Sequence, residues 1–199
     1  MRFEALPALG KALRAAHPGV ELLAQEMWNA QIPGAFHRGA IDIALSLCPE
    51  ITADLQLETV GRKQLVALLP ERHPLARESA IPLASLADEE FVLFPREIAP
   101  RLHDAFMAIY RRAGFEPRIR SESFHTGWEL DVLADIHAAA LAPESIVRAM
   151  PDGIVAVALS EPTDALDVCL LWRADARSPV VEACLASARA AFGIAAGAP

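Results

Sequence analysis

Three short stretches of this 199-residue chain put hydrogen-bonding side chains at the ends of elements, where a small molecule can reach them. The first is Ser123-Phe124-His125-Thr126, between a strand ending near Glu122 and a helix carrying Trp128. His125 can pair with a carboxylate, its protonation favoured by the ligand's charge, and the competing reading is a solvated loop histidine. Thr126 also suits the N-cap of the following helix. The second is Arg96, in the Pro95-Arg96-Glu97 turn after the strand Phe91 to Phe94. Its planar guanidinium can meet a carboxylate with two parallel hydrogen bonds. The competing reading is a surface ion pair with Glu97 or Glu90, worth little. The third is Trp28-Asn29, immediately before a short helix. Trp28 can stack on an aromatic guest or pack beside the helix start, and Asn29 can donate to a ligand or cap the helix.

Catalytic constellations are weaker. Ser123, His125 and Asp131 are close in sequence and His103 adjoins Asp104, yet neither set has a GxSxG elbow, and neighbours on a helix point in different directions. HExxH, GxGxxG and phosphate-loop patterns are missing, and His103, His125 and His137 lack metal-ligand spacing. No enzyme activity, cofactor or metal is expected. Cys48, Cys169 and Cys184 cannot all pair and form no CxxC, so they read as small apolar residues in or near the core.

Alternating strands and helices must position these residues. Leu6, Leu9, Leu13 and Ala16 mark a helix over 6–16 that stops at His17-Pro18-Gly19. Val20, Leu22 and Ala24 suggest a strand, then a short helix covers 30–38 with Pro33 in its first turns and Gly39 as its stop. Period-two or continuous apolar runs predict strands at 41–47, 64–70, 91–94, around Ile119, and at 139–142, 154–159 and 166–172. Helices are predicted over 101–113, ended by Gly114, around Trp128 to Ile136, and from Ser178-Pro179 with Val181, Leu185, Ala188 and Phe192 inward. Such alternation implies parallel sheets covered by helices.

Composition narrows the class. Hydrophobic residues make up 53% and charged residues 22%, which suits a packed globular domain. No run approaches the roughly 18 apolar residues of a membrane span, and Glu4 and Pro7 interrupt any secretory core, so a cytoplasmic location is expected. With a net charge of −8 and no basic face, the segment itself is not expected to grip nucleic acid.

Six segments in register then resemble the C-terminal effector-binding domain of LysR-type transcriptional regulators. They are LPALGKALRAAHPGVEL (6–22), GAIDIALS (39–46), HPLARESAIPLASLADEEFVLF (73–94), GFEPRIRSES (114–123), ALAPES (140–145) and LLWRADARSP (170–179). The resemblance implies an α/β, two-lobed periplasmic-binding-protein-like (type 2) fold, each lobe a mostly parallel sheet flanked by helices. Lobe I would hold residues 1–68 and 166–199 and lobe II residues 69–165, with crossings near Leu69-Pro70 and Thr163-Asp164. It further implies a small-molecule effector in the cleft between lobes, with Asn29 at a contacting position and the loop Ser123, Phe124, His125 and Thr126 facing the cleft from lobe II, while Trp28 and Arg96 remain candidates on their own chemistry. Family members often carry threonine where Asn29 stands. They assemble as dimers or tetramers and reach DNA through an N-terminal winged helix-turn-helix.

The chain departs from the family in two places. The family's first strand and the helix-turn-helix would lie upstream of Met1, which suggests a misplaced start or a gene fragment. Residues 132–138 also lack the two glycines of the family's usual LVAAGLG. The alternatives to a regulator domain are a stand-alone solute-binding protein of similar fold and a truncated remnant without function.

Overall fold

The computed structural model describes residues 5–122, 133, 137–161, 166–176 and 178–192. The chain divides into two compact units, residues 1–62 with 167–199, and residues 63–166.

Unit 1 is a sheet with an apolar cluster on each face. Its strands are β1 (Ile43–Leu47), β2 (Leu55–Lys63) and β9 (Leu166–Arg173), in the order β1-β9-β2. Period-two alternation sorts the side chains. Val168 and Leu170 of β9 and Val60 of β2 pack with Leu9 of helix α1 (Ala5–Ala16) and with Val181, Leu185 and Ala188 of helix α4 (Pro179–Phe192). Cys169, Leu171 and Leu55 turn to the other face, against Ile32 and Phe36 of helix α2 (Ile32–His37). Arg189 of α4 closes on Glu58 of β2 through bonds from Nε and Nη2, at 3.1 and 2.7 Å to Oε2.

Helix α2 stops where the sequence predicts. Gly39 sits at φ +64°, and two bonds close the end, from the Ala40 N–H to the Ala35 carbonyl and from the Gly39 N–H to the Phe36 carbonyl.

Unit 2 holds a four-stranded sheet, β4 (Ala80–Ile81), β8 (Ile154–Leu159), β3 (Leu65–Pro70) and β7 (Ala140–Pro143) in that order. A parallel pair, β5 (Glu90–Leu93) with β6 (Arg118–Glu122), joins it through a parallel bridge between Phe91 and Ala139. Helix α3 (Pro100–Arg112) buries Phe106, Ile109 and Tyr110. Tyr110 stands edge-on to Phe91 and Phe115, with ring centroids 4.9 and 5.5 Å away.

Three expectations change. Residues 64–68 were expected in lobe I, but β3 pairs with β7 and β8, so the first boundary lies at 62/63. The mostly parallel sheets become mixed: β1 with β9, β3 with β7 and β3 with β8 run antiparallel, while β4 with β8 and β5 with β6 are parallel. The cause is the insertion of unit 2 within unit 1. The chain enters unit 2 along β3 and heads back along β8, so these neighbours run in opposite senses without a crossover helix. Finally, residues 20–28 form no strand, and Leu23 is 83% exposed. The helix predicted around 128–136 lies outside the described residues, apart from the buried Leu133.

Candidate effector site

Asn29 opens a single 3-10 turn, Asn29–Gln31, that leads into α2. It does not cap the helix with its side chain. Trp28 holds the N-cap position, where its N–H donates to Gln31 Oε1 (3.0 Å) and its carbonyl accepts from the Gln31 N–H (2.9 Å). Freed from capping, the Asn29 amide reaches the end of β1. Its Nδ2 donates to the Leu47 carbonyl at 2.7 Å, and its Oδ1 accepts from Ser46 Oγ at 2.7 Å. Ser46 is buried, and both bonds are short and partly shielded from water.

An amide has two N–H donors and two acceptor lone pairs. Two of these four are used on β1, so a second Nδ2 hydrogen and a second lone pair remain for a guest. Trp28, its neighbour in sequence, is half-buried. Both sequence readings of Asn29 are therefore incomplete: it clamps β1 rather than capping α2, and it keeps half its capacity. Ser46 was not singled out from the sequence. Its place as the one polar residue in the apolar run 43–47 was the available signal.

Arg96 lies in unit 2 at the start of a 3-10 turn after β5. Its guanidinium forms a two-pronged pair with Asp104 of α3, Nε to Oδ1 and Nη2 to Oδ2 both at 2.8 Å. Glu90, one of the acidic neighbours considered for it, pairs with Arg120 on β6. Both Arg96 and Asp104 are more than half exposed, so the pair adds little stability. The hydrogen bonds from Arg96, then its charge, hold the Asp104 carboxyl below the usual aspartate range. That geometry presents a guanidinium fork already set for a carboxylate, with Asp104 occupying it.

Ser123, Phe124, His125 and Thr126 lie outside the described residues. The structure thus places Trp28 and Asn29 together in unit 1 and Arg96 in unit 2. Among the described residues no group of three or more His, Cys, Asp or Glu side chains could hold a metal ion, and no helix is long and apolar enough to cross a membrane.

A family model described as the LysR substrate binding domain matches residues 2–193. The chain belongs to this family. Among curated relatives, the HTH-type transcriptional regulator IlvR of Caulobacter vibrioides is 30% identical over 187 residues, covering 92% of the chain and 62% of the relative. CatR of Pseudomonas putida, also an HTH-type transcriptional regulator, is 28% identical over 183 residues, covering 92% and 63%. This LysR domain therefore spans a little over six tenths of the length of these relatives. Among solved structures, the BenM effector binding domain with its effector benzoate superposes with a TM-score of 0.83 at 21% identity, covering 96% of the chain and 87% of BenM's. The LysR family regulator CbnR gives 0.83 at 18% identity, covering 96% and 66%. At those identities the likeness establishes the fold, a LysR effector-binding domain of the type 2 periplasmic-binding-protein class.

Proposed function

We propose that this chain is the sensing part of a LysR-type regulator and that its effector is a small organic acid. The observation carrying the reading is the Asn29 clamp, an amide held rigidly on Ser46 and Leu47 with a donor and an acceptor to spare. Pre-positioned polar groups of this kind give a ligand orientation without an ordering cost. In this reading Trp28 and Asn29 supply contacts from unit 1. Arg96 supplies a guanidinium from unit 2, exchanging Asp104 for the effector's carboxylate, and Ser123, Phe124, His125 and Thr126 complete the set. The family match supports a small-molecule effector, and benzoate in the BenM effector binding domain is a precedent for a carboxylate.

Signalling requires the acid to favour one arrangement of the two units over another, since equal affinity for both shifts nothing. The shift would be felt by a second copy in a homodimer or homotetramer and passed to a DNA-binding domain elsewhere in the polypeptide.

A thermal-shift screen with benzoate, other aromatic carboxylates and aliphatic dicarboxylates tests this. An effector at about 100 times its Kd adds roughly 2.7 kcal/mol of stability, and Asn29→Ala should remove most of that gain. If no carboxylate raises Tm in the unsubstituted protein, the organic-acid reading is wrong.

A further inference from the structure

The carboxylate that fills the Arg96 fork has a second cationic or donor group within reach. His103, the residue before Asp104 on α3, has a side chain only 16% exposed. Its Nδ1 is buried and has no hydrogen-bond partner among the described residues. That nitrogen stands 3.8 Å from Asp104 Oδ1, too far for a hydrogen bond. It is still close enough that His103, after Arg96, helps to hold the Asp104 carboxyl below the usual aspartate range. The imidazole is fixed in place by its edge-on contact with Phe94, centroids 6.0 Å apart, and Phe94 stands edge-on to Phe106 at 5.6 Å.

A buried ring nitrogen without a partner is costly and calls for an explanation. Asp104 does not supply the missing bond while both its oxygens face Arg96. A shift of about 1 Å would bring Oδ1 and Nδ1 within ordinary hydrogen-bond range. The Asp104 carboxylate therefore has two seats, one occupied and one vacant.

We propose that Asp104 is a built-in competitor for the carboxylate that docks on Arg96, and that His103 Nδ1 is the seat it takes when displaced. The inference rests on the reading of Arg96 as an effector contact. An incoming carboxylate replaces Oδ1 and Oδ2 on the Nε and Nη2 donors, and Asp104 turns to accept from the His103 Nδ1–H. Arg96 keeps two charge-assisted bonds throughout, and the imidazole gains the one it lacks. A neutral guest of the same shape cannot match the ionised oxygens it has to replace, so Asp104 stays in the fork. Asp104 is thereby a specificity-determining residue that favours anions over amides and esters. Arg96, His103 and Asp104 all belong to unit 2, so the exchange needs no particular arrangement of the two units.

Titrating benzoate and benzamide into the 199-residue protein, read by NMR chemical shifts, tests this. Asp104→Asn should bind benzoate about fivefold more tightly than the unsubstituted protein, the gain expected when an exposed ion pair no longer occupies the binding group. Asp104→Ala should do the same, and neither should improve benzamide. His103→Phe keeps an aromatic ring against Phe94 but has no Nδ1. It should weaken benzoate about threefold in the unsubstituted background, a modest hydrogen bond's worth, and have no effect in Asp104→Asn. Equal benzoate affinity with and without the Asp104 carboxylate overturns the competitor. An equal His103→Phe loss in both backgrounds shows packing alone and overturns the second seat. Benzoate binding that ignores Arg96→Ala overturns the exchange and leaves the organic-acid reading standing. Benzoate binding to neither the unsubstituted protein nor Asp104→Asn also overturns it, whereas the organic-acid reading falls only if every carboxylate in the thermal screen fails.

Discussion

Asn29 shows how a single side chain links the two halves of a local structure. Its amide bridges a 3-10 turn to the last residues of β1, and its Ser46 partner is buried. Removing one member strands the other. Asn29→Ala and Ser46→Ala should each cost about 1–3 kcal/mol in urea denaturation, and the double substitution less than the sum, because the two share one hydrogen bond. Additive losses would show that the bond contributes nothing. The sequence made Asn29 visible as a polar residue before a helix, but its partner lies seventeen positions on in a strand, beyond what local spacing can reveal. Arg96 was legible as a guanidinium at a strand end. Its actual partner Asp104, eight residues away on α3, depends on how the chain turns at Pro100.

At the scale of elements, periodicity carried most of the fold. The apolar stripe Val181, Leu185 and Ala188 of α4 is buried, and Gly39 and Gly114 end their helices with positive φ. Strands β3, β5, β8 and β9 fall within a residue or two of the predicted runs. Local pattern does not encode pairing. Residues 20–24 alternate suitably, yet a strand needs a neighbour, and none is paired to them among the described residues. The sense of each pair also follows from how unit 2 is threaded through unit 1, which no run of residues displays. Strand β2 was not predicted, although Leu55 and Leu57 alternate with Gln56 and Glu58. The layering of unit 1 makes a contrast testable within α4. Leu185→Ala, at 1% exposure, should cost about 2–5 kcal/mol, whereas Val180→Ala, at 49%, should stay within about 0.5 kcal/mol in the same denaturation assay. Similar losses at both sites would contradict the layering.

For the molecule as a whole, the chain divides into two units, residues 1–62 with 167–199 and residues 63–166. The boundaries fall at the last residue of β2 and the first residue of β9. Tyr110, the only tyrosine in the chain, belongs to the core of unit 2, completely enclosed against Phe91 and Phe115. Burial pushes its phenol well above the ordinary tyrosine value near 10. The sign follows directly: the stabilisation is complete below the unfolded value near 10 and erodes as pH climbs past it toward the folded value. On alkaline titration the ultraviolet signature of phenolate should therefore appear late and abruptly, when unit 2 opens. A smooth rise centred near 10 would mean that the ring is reachable by water. One phenol thus gives an optical clock for half of the molecule, needing no label and blind to the rest.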